Sequence, residues 1–152
     1  MILIFHFRNK YSYIKSRPDV KKFVIDQTDE KNLTFKVFIE YLVELPLKKF
    51  DIHWLPIYLT CKPCLISYDL IAKTETMARD SEAILREIGI TDKCKRLSAV
   101  NAQPGGHSSS KIKDFFSYLD RELVEKLYKV YEMDFILFDY SPNEYFDVVQ
   151  IE

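Results

Sequence analysis

The sequence predicts a mixed α/β fold, mostly helices with a few strands. Apolar residues recur three and four apart behind capping residues, which is the helical signal, and one run from Cys64 to Ala72, rich in Leu, Ile and Tyr, reads as a short buried strand. The 152 residues include ten Tyr, eleven Phe and one Trp but only three Gly, a composition of packed elements with few tight turns. Hydrophobic residues at 47% and charged residues at 30% exclude disorder, because there is ample apolar side chain to bury. A net charge of −1 provides no field for gathering nucleic acid or an anionic membrane, so any anion site is local and no nucleic-acid partner is expected.

The elements follow in order. Met1 to Phe7 is apolar, but it has no basic residues ahead of it and no small-residue cleavage site, so it does not read as a signal peptide. No stretch reaches the roughly 20 apolar residues that span a bilayer. Asp26 to Asn32 reads as an exposed polar loop. Asn32-Leu33-Thr34 follows the N-glycosylation pattern, which matters for a luminal chain. Thr34 is placed to cap a helix with Phe35, Phe38, Ile39, Leu42 and Val43 on its apolar face, and Pro46 ends it. Asp51 to Pro63 shows no period and is expected to be an ordered loop. After the Cys64–Ala72 strand, Thr74 or Thr76 caps a helix bearing Met77, Ser81, Ile84, Leu85 and Ile88, with Gly89 at the left-handed position beyond its end. Thr91 to Ser110 is polar and carries little pattern. A serine there caps a short helix with Ile112, Phe115, Phe116 and Leu119. Asp120 caps the next, with Leu123, Val124, Leu127, Val130 and Tyr131 in one stripe. Asp134 to Tyr140 is expected as aromatic-rich turns or a strand.

Three constellations carry chemistry. Cys61-Lys62-Pro63-Cys64 has the spacing of a redox pair, but such a pair starts a helix, and here strand-forming residues follow. A zinc site would need two further ligands from Cys94, His107 and His53, without a second close pair, so no metal is expected. The remaining role for the two cysteines is structural, as a pair bonded to each other or buried as thiols. His53 beside Trp54 is a candidate general base, and equally a group that ties a loop to the core. Gly106 to Lys111 offers backbone N–H groups at a helix start, hydroxyls and an ammonium. That combination suits a phosphate, or simply a capped loop.

Read together, Asp51-Ile52-His53-Trp54-Leu55-Pro56, Cys61 to Asp69, Lys73, Glu75-Thr76, Asp80, Leu85, Ile88 and Gly89 resemble the carbohydrate sulfotransferases of the HNK-1 and chondroitin/dermatan 4-sulfotransferase type. Leu127-Tyr128, Tyr131, Asp134-Phe135 and Phe138-Asp139-Tyr140 continue the likeness, which runs from about Arg8 to Tyr140 and is faint over 91–110. The resemblance implies that residues 1–152 are the C-terminal part of one sulfotransferase domain with a P-loop-like α/β fold. It implies transfer of a sulfuryl group from 3′-phosphoadenosine 5′-phosphosulfate to a glycan or proteoglycan hydroxyl on the luminal side of the Golgi membrane. A membrane anchor is expected only in a full-length form. Under this reading His53 is the catalytic candidate, Ser109, Ser110 and Lys111 are the candidates for holding the donor, and Trp54 is a surface for stacking on a sugar.

One departure from the family plan is large. Arg8-Asn9-Lys10-Tyr11 resembles the residues just after the family's 3′-phosphate motif, so the motif's serine falls on Phe5 and its arginine precedes Met1. The lysine loop for the 5′-phosphosulfate has no counterpart. The expectation is a chain that does not turn over by itself, since transfer needs the donor anion held and its developing charge neutralised. The alternatives are a non-catalytic module binding a glycan or a partner, and a thiol protein built on Cys61 and Cys64.

Overall fold

The structure, a computed structural model, describes residues 11–27, 32–90 and 109–149. The chain divides into two compact units, one formed by Met1–Lys62 with Ser109–Glu152 and the other by Pro63–Ser108.

In the first unit, α1 (Tyr11–Ser16) and α2 (Pro18–Gln27) meet at Arg17. Pro18 occupies the first position of α2, where its missing N–H costs nothing and its fixed φ favours the helix. In α3 (Phe35–Glu44) the hydroxyl of Thr34 accepts from the backbone N–H of Val37 at 3.3 Å, the predicted cap. Phe35, Phe38, Ile39 and Leu42 are buried as expected, and Val37 and Tyr41 join them. Each fully buried side chain of this size contributes roughly 1.5–3 kcal/mol of apolar transfer. This face packs on α7 (Arg121–Leu137), whose buried residues are Leu123, Val124 and Leu127. Asp120 caps α7 by accepting from the N–H of Leu123 at 2.8 Å, again as predicted. Helix α6 (Ser109–Phe116) packs against α8 (Asn143–Phe146). Rings join these helices: Phe35 with Phe115 and Tyr145 with Phe135 meet edge to face, while Phe35 with Phe116 and Phe116 with Tyr145 are tilted.

The expected loop at Asp51 to Pro63 contains a helix, α4 (Ile57–Cys61). Its first two N–H groups, of Ile57 and Tyr58, are received by the Asp134 carboxylate on α7 at 2.7 and 2.8 Å. A short helix with such a distant cap leaves no local signal. Asp26 and Gln27 belong to α2, so the polar loop starts later than predicted. Asp134 to Leu137 continues α7 instead of forming turns or a strand. That helix ends at Phe138, with Asp139 left-handed at φ 51 and the N–H of Tyr140 on the carbonyl of Phe135 at 2.9 Å.

The second unit corrects the expected strand. Among the described residues there is no strand. The run expected as a buried strand lies in turns and bends, and Leu65 is 81% exposed. Its apolar residues fall in adjacent pairs, Leu65-Ile66 and Leu70-Ile71, so they have no single face to bury, and a strand needs a neighbour for its N–H and C=O groups. Helix α5 (Met77–Glu87) forms where predicted and buries Ser81, but neither threonine hydroxyl caps it: Thr74 to Thr76 form a 3-10 turn and the Thr76 hydroxyl goes to the Asp80 carboxylate, and Met77 and Ile88 are exposed. Gly89 takes φ 76, with the N–H of Ile90 on the carbonyl of Leu85 and its own on Arg86, a Schellman end. The expectations on Phe5, Arg8 to Lys10, Cys94, His107 and most of 91–110 lie outside the described residues. No described helix is long and apolar enough to cross a membrane.

Candidate functional site

The site is built on the turn between α3 and α4. Asp51 opens it: its Oδ1 accepts from the backbone N–H of His53 at 3.0 Å, and its carbonyl accepts from the N–H of Trp54 and Leu55. The same Oδ1 lies 2.5 Å from the Nδ1 of His53. One carboxylate therefore holds both the backbone and the ring of His53. A ring donating its Nδ1–H to a carboxylate keeps its lone pair on Nε2, which makes that atom the basic position.

The other oxygen of Asp51 faces α1 and α2. It accepts from the Tyr13 hydroxyl at 2.7 Å and from Nη1 of Arg17 at 2.6 Å. Arg17 turns its remaining edge on Asp19, Nε to Oδ1 at 3.1 Å and Nη2 to Oδ2 at 2.8 Å, a two-point grip. Asp19 also receives the Tyr41 hydroxyl from α3 at 2.7 Å. The charges set the titration. Burial pushes the Asp51 carboxyl up, but the His53 backbone N–H, the Tyr13 hydroxyl and the His53 ring outweigh it and bring it to about 2. Asp19 is also drawn down to about 2, chiefly by its hydrogen bond from Arg17. Arg17 is held well above its ordinary value, first by Asp19. Burial and the bond to Asp19 raise Tyr41.

Trp54 is 0% exposed, which excludes its ring as a stacking surface for a sugar in this structure. Phe38 meets it edge to face at 5.5 Å, and the Arg17 guanidinium lies 5.2 Å from its ring centre. Its carbonyl receives the Tyr131 hydroxyl at 2.6 Å, while its buried indole N–H has no acceptor among the described residues. Trp54 anchors the turn, and His53, one residue earlier, keeps about a third of its side chain exposed.

Of the other sequence candidates, Ser109, Ser110 and Lys111 form the first turn of α6, in the same compact unit as His53. Cys61 is the last residue of α4 and Cys64 is exposed in the turn beyond it, with Lys62 left-handed at φ 49 between them; the two are not bonded to each other and neither is fully buried, so the expected bonded or buried pair does not form. No group of three or more metal-binding side chains occurs among the described residues. Sequence reasoning missed Tyr13, Arg17, Asp19 and Tyr41, and gave Asp51 no role. Tyr13 to Asp19 sit in two short helices whose only local mark is Pro18 behind Arg17, and their meeting with Asp51 is tertiary.

A polar turn clamped between helices does not identify a class by itself, but the comparison with known proteins does. The chain matches the sulfotransferase family model over residues 3–141, and it belongs to that family. Among curated relatives, carbohydrate sulfotransferase 11 of Rattus norvegicus is 32% identical over 117 residues, covering 75% of this chain and 33% of that protein. Carbohydrate sulfotransferase 12 of Xenopus laevis is 34% identical over 119 residues, 76% of this chain and 28% of that protein. Carbohydrate sulfotransferase 10 of Xenopus laevis is 31% identical over 133 residues, 80% and 36% respectively. The chain spans about a third of the length of the curated relatives it matches. No solved structure matches it closely enough to count as a relative.

Proposed function

We propose that the chain is the C-terminal part of one carbohydrate sulfotransferase domain of P-loop-like fold, working on the luminal side of the Golgi. The reaction moves a sulfuryl group from 3′-phosphoadenosine 5′-phosphosulfate to a glycan hydroxyl. The acceptor oxygen bonds to sulfur, the bond from sulfur to the 5′-phosphate oxygen breaks, and 3′,5′-adenosine bisphosphate leaves. The acceptor proton goes to Nε2 of His53, with Asp51 holding the ring by Nδ1. Ser109, Ser110 and Lys111 close over the donor's phosphates from the first turn of α6. The observation that carries this reading is the Asp51–His53 pair, which lies inside the matched region and is supported from three helices.

A second reading rests on the same contact. Because Asp51 takes both the backbone N–H and the ring nitrogen of His53, the histidine also serves to close the turn. A chimera separates the two: the preceding part of rat carbohydrate sulfotransferase 11 joined to this chain, assayed with labelled donor against a panel of glycans. If His53 is the base, His53→Ala lowers the rate by roughly two to four orders of magnitude and His53→Gln does not restore it. If it only closes the turn, the loss follows the loss of stability and His53→Gln recovers much of it. A stable His53→Ala chimera with a near-normal rate removes His53 from the reaction.

A further inference from the structure

Asn32-Leu33-Thr34 meets the chemical requirement for an N-linked glycan, an amide followed two residues later by a hydroxyl with no proline between. Asn9, Asn101 and Asn143 have Tyr, Gln and Tyr at the same offset, so this is the chain's single acceptor tripeptide. The fold gives its three residues different tasks. Leu33 is 5% exposed and belongs to the core cluster. Thr34 is exposed and caps α3 through its hydroxyl. Asn32 is exposed in a bend just before them. Leu33 thus anchors the segment while the amide faces outward at the start of α3.

We infer that Asn32 carries an N-linked oligosaccharide when the chain is made in the secretory lumen. The inference rests on the luminal placement in the proposed function and is independent of transfer activity. The co-reactant is an oligosaccharide linked through its reducing-end N-acetylglucosamine to a lipid diphosphate. The Nδ2 of Asn32 bonds to C1 of that sugar, the bond from C1 to the phosphate oxygen breaks, the lipid diphosphate leaves, and the amide nitrogen loses one proton. The product is a bulky, neutral, hydrophilic group beside the N-terminus of α3.

The test uses the full chain behind a cleavable signal peptide, with a C-terminal tag that carries one engineered acceptor tripeptide, translated with endoplasmic-reticulum microsomes. Only chains bearing the tag's glycan are scored, so delivery is established in every molecule counted. The native sequence should show two glycans, both removed by peptide N-glycosidase F, which leaves aspartate at position 32 in the peptide mass spectrum. Asn32→Gln should show one. Thr34→Asp should also show one while keeping a helix cap, and Thr34→Ser should keep both functions and show two. A native chain with only the tag's glycan, or an Asn32→Gln chain that still shows two, overturns the inference. An inactive chimera glycosylated at Asn32 would count against the transfer reading and leave this one standing.

Discussion

Asp51 is the residue on which the site's geometry turns, and Asp51→Ala tests it. In the native chain its two oxygens receive the His53 backbone N–H, the His53 ring, the Tyr13 hydroxyl and Arg17. Its side chain is 13% exposed, so these bonds are only partly screened by water. A carboxyl at about 2 against an ordinary 3.8 corresponds to about 2 kcal/mol of stability at neutral pH. Because the folded value is the lower one, that stability is complete above about pH 4–5 and is lost as the pH falls toward 2. Removing the carboxylate also leaves its former donors to find water, so the expected loss for Asp51→Ala is about 2–3 kcal/mol at pH 7.

Urea unfolding followed by tryptophan fluorescence is the direct assay, since Trp54 is the only tryptophan and lies in the turn Asp51 organises. The midpoint should fall by roughly 1–2 M, taking a slope of about 1–3 kcal/mol per molar urea. Repeated toward pH 2, the gap between native and variant should narrow, because acid removes from the native chain what the substitution has already removed. A double-mutant cycle with Arg17→Met should show coupling of at least about 0.5 kcal/mol, as for residues in one network. An unchanged midpoint at pH 7, or a gap of the same size at pH 7 and near pH 2, would refute the account of Asp51 as the centre of the network.

Three further outcomes are expected. Asp120→Ala should cost about 1 kcal/mol in the same denaturation assay by freeing the Leu123 N–H, and Asp120→Asn should be close to neutral. The chain should not turn over in an insulin-reduction assay, because Cys61 ends a helix where activation needs a helix start, while Cys64 should react with a thiol reagent in the folded chain. Trp54→Phe should cost less than the roughly 3–5 kcal/mol of Trp54→Ala, because phenylalanine keeps ring contacts and discards a buried N–H that has no acceptor among the described residues. Circular dichroism follows that pair of variants, since neither retains the reporter.

The parts of the fold that were legible in the sequence are those fixed by neighbours along the chain. Thr34 and Asp120 each reach an N–H three residues ahead, and Gly89 ends its helix through its own φ, so each left a mark where it acts. The core stripes of α3 and α7 were readable for the same reason. What failed was decided at a distance. α4 is capped by Asp134, 77 positions from Ile57, and no window of sequence contains both. The strand expected after Cys64 came from propensity alone, and propensity cannot supply the neighbouring strand that a ladder requires. His53 was legible as a histidine in a family-like loop. Its support was not, because Tyr13 and Asp19 come from helices, joined at Arg17, that carry no chemical motif.

That support makes the site more than an Asp–His pair. Asp51 has one oxygen committed to His53 and the other to Tyr13 and Arg17, so what it gives the imidazole is chiefly a fixed orientation. Its charge is shared with a guanidinium that also grips Asp19, and Asp19 is held in turn by Tyr41 from the buried face of α3. The turn is thereby tied to the packing of α2 on α3: moving Tyr41 shifts Asp19, then the guanidinium, then the carboxylate that sets the ring. Arg17 also lies over Trp54, whose burial fixes the backbone one residue after His53. The ring is therefore held from two directions, through Asp51 and through Trp54, and Arg17 belongs to both. A lysine at position 17 would keep the charge and lose the two-point grip on Asp19, together with much of the planar contact on the indole. Such a substitution separates charge from geometry.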